Sequence, residues 1–262
     1  MMATPESPAE PLRWNQPDRW IRRQVIPFAV FMGFLLVLQL AGSFFASDLP
    51  SAPWWRKSPE QWIYPIQSVA CLVLLGRWWR SYEFHWNLRW SLIGAIFGAV
   101  GIGFWLLPTV IWDHWQPQGE GWWTGLGVED RKGGFDPGDY FAVHSPAWFL
   151  SLAFRFLRAV VVVALVEEIF WRSFLMRLVS DWNGPYWKQP FGRHSWLAFG
   201  VVTAGFVLAH APVDYSGAII YGSLTYLLTV WSKNLGACVI MHAVANGLMG
   251  IFILYTGKTG LW

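Results

Sequence analysis

Charge is scarce in this sequence. Asp, Glu, Lys and Arg make up 13% of its 262 residues, about half the quarter carried by ordinary soluble domains. Cysteine is nearly missing as well: Cys71 and Cys238 are the whole supply, which excludes the disulfide framework of a small secreted domain. The formal charge of +3 is small and scattered, without the basic stripe of a nucleic-acid binder. Low hydrophobicity with high net charge, the signature of disorder, is absent too. What is present is apolar: 55% hydrophobic residues, 18% aromatic, 21 Trp and a mean hydropathy of +0.34. This is the composition of a membrane protein with an all-α fold, since helices satisfy their own backbone within lipid.

A span requires about 20 largely apolar residues. Such runs lie at Val25–Ala46, near Trp62–Trp79 and near Ser91–Trp112, then within a long helical stretch from Pro146 to Ser180. Three more follow near Ser195–Ala211, Gly217–Trp231 and Leu235–Thr256. The expected fold is a polytopic transmembrane helical bundle of about seven spans, within a range of six to eight. It divides into a polar tail (1–24), N-terminal transmembrane helices with an extramembrane loop (25–145), and a transmembrane core (146–262). The first run is too long and too far along the chain for a signal peptide, so it reads as an uncleaved helix. The stretch Asp113–Ser145 holds six acidic residues with many Gly and Pro, and reads as the loop. With the N-terminus in the cytoplasm, inside segments hold 11 basic residues against 5 outside, which favours N-in and C-out. Trp pairs at 54–55, 78–79 and 122–123 fall near helix ends, where amphipathic rings anchor at the interface.

Ionisable groups at membrane depth are costly and point to function. In the fourth helix, Glu167 and Glu168 directly follow eight apolar residues, and Arg172 comes four after Glu168. That spacing puts Glu168 and Arg172 on one face as a pair. Glu167 is rotated by about 100°, which leaves it less compensated and suited to general acid–base work. An interfacial helix turn is the plainer reading of Glu-Glu-x-x-x-Arg, and the apolar run weighs against it. Arg155 and Arg158 read as groups snorkelling to the outer interface. Two further motifs follow: Phe206-x-x-x-His210, then His242-x-x-x-Asn246. A lone His on an apolar helix is most often a satisfied core residue. His242 and Asn246 share a face and both offer N–H donors, although helix–helix hydrogen bonding would also explain them. On a rise of 1.5 Å per residue, Glu167 lies roughly 20 Å from Ser180 and His210 roughly 23 Å from Ser195. These are similar heights on antiparallel neighbours. His242 and Asn246 lie about 10 and 16 Å into the seventh span, so all four groups can meet at one depth.

The three ordered motifs Glu167-Glu168-x-x-x-Arg172, Phe206-x-x-x-His210 and His242-x-x-x-Asn246 resemble those of the CPBP intramembrane proteases. These are the CAAX-protease and Abi proteins, relatives of the Ras-converting CAAX endopeptidase. The wording around the motifs (Glu-Glu-Ile-Phe-Trp-Arg and Met-His-Ala-Val-Ala-Asn) is similar to a subfamily found with bacterial PEP-CTERM/exosortase sorting systems. The resemblance covers about the last 100 residues.

The resemblance implies a glutamate-dependent intramembrane endopeptidase. Glu167 would activate water with the help of His210, His242 and Asn246 would face the oxyanion, and Glu168 with Arg172 would support the Glu167 turn. The irregular chain at Ala211–Asp214 is a candidate lining for the water-reaching cavity that hydrolysis needs. The implied substrate is a membrane protein or lipidated peptide in the bilayer, with no nucleic acid, and the implied location is a bacterial inner membrane. No cofactor is expected. Zinc held by Glu and His is the alternative, although no His-Glu-x-x-His spacing occurs. The rival class is a non-enzymatic membrane protein: a proton-coupled carrier, an immunity protein or a scaffold. A carrier would more often show paired repeats, which this sequence lacks.

Overall fold

A computed structural model describes residues 17–44, 51–119 and 121–262. Among these residues it is all-helical. Seven elements account for the expected spans: α1 (Pro17–Phe44), α2 (Glu60–Arg77), α3 (Leu88–Trp115), α4 (Pro146–Ser180), α5 (Trp196–Leu208), α6 (Tyr215–Ser232) and α7 (Leu235–Thr256). Four of them (α1, α3, α4 and α7) are long and apolar enough to cross a membrane, and the fold is a helical membrane bundle. α5 is shorter, at 13 residues. Of the polar tail expected over 1–24, residues 1–16 lie outside the described residues, as do 45–50 and 120. From Pro17 the chain is already helical: Pro fits the first turn of a helix, and Arg19, Arg22 and Arg23 extend α1 beyond its apolar run.

Local sequence explains where the helices start. The side chains of Asn87, Ser145, Ser195 and Asn234 accept the free backbone N–H three residues on in α3, α4, α5 and α7, as N-caps do. Pro146 follows its cap at the first helical position, where a missing N–H costs nothing. α7 closes at Gly257 with φ +70°, a conformation that glycine adopts without strain.

The bundle is organised around α7, which packs along α3 and also touches α4 and α6. Gly94 and Gly98 make the α3–α7 approach. A Cβ on either would sit 2.4 Å from the carbonyl oxygen of Ala237 or Met241, so only glycine lets the backbones come this close. Leu36, Leu40, Ile66, Val73, Leu92 and Ile96 face outward, as a lipid-facing surface requires. Trp54, Trp55, Trp115, Trp122 and Trp196 are exposed at or beyond helix ends, in keeping with interfacial anchoring.

α4 is not uniform. Two π-helical segments, Leu157–Val163 and Ile169–Leu175, flank the short α-helical stretch Ala164–Glu168 that holds both glutamates. Such wide turns are rare and free backbone groups for other partners. The expected loop begins later than Asp113, because α3 continues to Trp115, and the connection that follows it is strapped to the rest of the chain. Arg131 forms a two-pronged pair with Asp214 at 2.9 and 3.3 Å and donates to Gly260 O at 3.2 Å. Lys258 pairs with Asp113, and with Asp130 at 3.6 Å.

Candidate active site

Glu167, His210, His242 and Asn246 all line one cavity of about 360 Å³. Their helices bring them there from three separate parts of the chain: α4, the end of α5 and the middle of α7. Ala211 and Asp214 of the α5–α6 connection line it too, in part as the sequence anticipates for Ala211–Asp214. The connection is not irregular chain, however: Pro212–Asp214 form one tight 3-10 helical turn, opened by Pro212 at its first position.

Glu168 and Arg172 do not reach the cavity. Both side chains are fully buried, and Arg172 Nε donates to Glu168 Oε2 at 3.2 Å across one helical turn. The other oxygen, Oε1, lies 2.9 Å from His242 Nδ1. Glu168 therefore bridges an arginine of its own helix to a histidine of α7, a connection that spacing within α4 does not reveal. A carboxylate accepts, so His242 Nδ1 carries the proton and Nε2 is the ring's free position. In the neutral ring Nε2 is an acceptor, and it donates only when the ring carries a second proton.

The same logic fixes His210. Its Nδ1 is 2.7 Å from Phe206 O, a carbonyl that can only accept, so Nε2 presents a lone pair. The His210 ring packs against Phe206 and Trp105, with centroids at 4.6 and 5.1 Å, which restricts its rotation. Asn246 donates one amide N–H to Ala159 O at 2.7 Å. Ala159 lies inside the first π-helical segment, so this wide turn and the Asn246 side chain satisfy each other. The second N–H of Asn246 is uncommitted among the described residues. The Glu167 carboxylate is half-buried, and among the described residues it makes no hydrogen bond or ion pair.

Arg155 and Arg158 differ from expectation. Neither snorkels to an interface: Arg155 is 7% exposed, and both line the cavity. The Arg155 guanidinium lies over the rings of Phe135, Tyr64 and Trp262 at 4.0, 4.9 and 5.3 Å. Arg158 lies over Tyr64 at 4.0 Å and donates through Nε to Gln67 Oε1 at 2.7 Å. The physical reason is that α2, the loop and the chain after α7 cover this stretch of α4 with aromatic faces and an amide, which hold guanidinium groups inside. Their depth was the available signal. Nine and twelve residues from Pro146 correspond to about 14 and 18 Å along a helix. Tyr221 was also missed. It lines the cavity, packs 5.8 Å from the His242 ring and has a buried hydroxyl with no partner among the described residues. Among the described residues no group of three or more His, Cys, Asp or Glu side chains gathers as a metal site would require.

No curated protein and no solved structure matches this chain. One family model does, over residues 148–248, a segment that runs from the start of α4 to the middle of α7 and contains all six motif residues. In that segment the chain is similar to the family described as type II CAAX prenyl endopeptidase, Rce1-like.

Proposed function

We propose that this protein is an intramembrane endopeptidase that cleaves a membrane-associated protein, lipidated or carrying a C-terminal sorting signal, with Glu167 as its base. The observation that carries the reading is the convergence of Glu167, His210, His242 and Asn246 on one cavity. The family match over the same segment supports it.

The roles follow from the free positions of each side chain. Water held between Glu167 and His210 Nε2 gives a proton to the Glu167 carboxylate as its oxygen attacks the scissile carbonyl carbon. Two hydrogen-bond acceptors around one water point both of its protons away from the attacking lone pair. The carbonyl oxygen becomes an oxyanion, faced by the second N–H of Asn246 and by Nε2 of a protonated His242. Glu168, whose charge touches the far side of that ring, stabilises the imidazolium while Arg172 holds the carboxylate in place. Collapse of the intermediate breaks the C–N bond, and the proton taken by Glu167 passes to the departing amine nitrogen. A second carboxylate within the cavity's reach, Asp214, is held by Arg131 and so does not compete with Glu167 for this role. The chemistry is carried by side chains alone, with no metal assigned. The orientation is N-terminus in the cytoplasm of a bacterial inner membrane, supported by the bias of basic residues.

The test is proteolysis of a candidate membrane substrate by the wild-type protein and by Glu167→Gln, Glu167→Ala and His210→Ala, in detergent or in membranes. Loss of Glu167 is expected to abolish cleavage, and loss of His210 to lower it at least a hundredfold. Undiminished cleavage by Glu167→Ala would overturn the assignment of the base and favour a non-enzymatic role for the fold.

A further inference from the structure

Hydrolysis consumes one water for every bond cut, and the space around Glu167 is small. A peptide lying over Glu167 fills much of a cavity of about 360 Å³, so fresh water needs a way in that the substrate does not occupy. A second polar feature lies beside the cavity, between α2 and α4. Gln61, Tyr64 and Gln67 recur at every third position of α2, and Ser151, Arg155 and Arg158 lie four and three apart on one face of α4. The two rows meet along their length. Ser151 Oγ donates to Gln61 Oε1 at 2.7 Å, and Arg158 Nε donates to Gln67 Oε1 at 2.7 Å. Between these bonds the Arg155 and Arg158 guanidinium groups lie over the Tyr64 ring at 4.9 and 4.0 Å. By helical rise, Ser151, Arg155 and Arg158 are about 8, 14 and 18 Å from Pro146. The two arginines and Tyr64 also line the cavity that holds Glu167, so the seam runs from the start of α4 into the reaction space.

Hydrogen bonding between helices accounts for the Ser151–Gln61 and Arg158–Gln67 contacts. It does not account for Gln61 Nε2 and Arg155 Nε, both buried and both without a partner among the described residues. An apolar α2–α4 contact would hold the helices together without the cost of these groups. Unpaired donors at two successive depths call for a small molecule that brings its own acceptor, and a buried water joins two to four such groups. We propose that the α2–α4 seam conducts water to Glu167 from the membrane surface at which α4 begins. Gln61 and Ser151 form its outer part, and Arg155 and Arg158 its inner part. The two guanidinium groups repel cations, hydronium included, as an arginine does in water-selective pores, so the seam passes neutral water. Gln67 is fully buried and donates to Phe31 O at 2.8 Å, which fixes the Arg158 side of the path. This inference rests on the endopeptidase reading only in taking Glu167 as the group that uses the water.

The experiment measures hydration separately from turnover. The full chain, with its buried cysteines removed as Cys71→Ala and Cys238→Ala, is placed in lipid nanodiscs carrying Ser151→Cys, Gln61→Cys or, as an outward-facing control on α2, Ile66→Cys. Each is treated with a small, charged methanethiosulfonate, which reacts with the thiolate and so reports water at the thiol. Ser151→Cys and Gln61→Cys are expected to react at least tenfold faster than Ile66→Cys. Once modified, both are expected to cleave a candidate membrane substrate at least tenfold more slowly, with the rate restored by a reducing agent. The same modification in a Glu167→Gln background is expected to change substrate binding, read by tryptophan fluorescence, by less than twofold. Reaction no faster than at Ile66→Cys would overturn the proposal, since the seam would then be dry. Modification that leaves cleavage at the unmodified rate would overturn it as well. A loss of binding equal to the loss of cleavage would assign the seam to the substrate and likewise overturn it. The endopeptidase reading fails on a different result, cleavage by Glu167→Ala, and thiol reactivity is read without any turnover, so the two failures are distinguishable.

Discussion

Glu167 and Glu168 are adjacent in sequence, yet the structure gives them opposite consequences on mutation. Glu168 is fully buried and its two oxygens engage Arg172 and His242. Arg172 is equally buried, and its Nη1 and Nη2 have no hydrogen-bond partner among the described residues, so its charge is compensated through Nε and, more weakly, by the Phe206 ring face 5.9 Å away. Glu168→Gln removes that compensation. Breaking a buried pair from one side costs about 3–5 kcal/mol, and the poor satisfaction of Arg172 places this case towards the upper end. For a chain of this size the loss corresponds to a fall in Tm of about 6–20 °C. Glu167→Gln, by contrast, touches a half-buried side chain with no ion pair and should move Tm by less than about 2 °C. The assay is thermal unfolding in detergent, followed by tryptophan fluorescence, of the two single variants and of Glu168→Met/Arg172→Met. Because an apolar replacement of a whole buried pair is often neutral, the double variant should be more stable than Glu168→Gln. A greater loss of stability in Glu167→Gln than in Glu168→Gln would refute the bridge described between α4 and α7.

Three further outcomes are expected. Gly98→Leu puts a side chain where Met241 O lies 2.4 Å from the Cβ position; it should force α7 away from α3, destabilise the fold by about 1–3 kcal/mol, and abolish cleavage by moving His242, as seen in paired unfolding and activity measurements. Asp214→Asn leaves Arg131 without its carboxylate and should loosen the strap of the connection between α3 and α4, raising its rate of cleavage by added trypsin at Lys132 while α4 stays protected. Exhaustive chelation with 1,10-phenanthroline should leave peptide hydrolysis unchanged; loss of activity restored by added Zn²⁺ would establish the zinc alternative.

The apolar runs announced the membrane bundle because within lipid a helix is the simplest way to satisfy the backbone, so composition and run length translate directly into architecture. The motif residues were legible for a related reason. In a chain with so little charge, Glu167, Glu168 and Arg172 stand alone in an apolar helix, and the i to i+4 pairing of Glu168 with Arg172 follows from helical geometry. His210, His242 and Asn246 were legible through their spacing and their resemblance to known motifs. Arg155 and Arg158 were misplaced because snorkelling is decided by what surrounds a side chain. Here that is Tyr64 from α2, Phe135 from the loop and Trp262 from beyond α7, all distant in sequence.

By itself, then, the sequence determined the element order, the helix caps and the spacing of the motif residues Glu167, Glu168, Arg172, His210, His242 and Asn246, all of which depend on local pattern. Only the tertiary structure decided that Glu168 reaches His242, that the wide turn at Ala159 meets Asn246, and that two arginines face the same cavity as Glu167. Each of these depends on how far one helix is rotated and shifted against another. That is set by close contacts such as Gly94 and Gly98 against α7, and by the π-helical turns that rotate successive parts of α4 relative to each other.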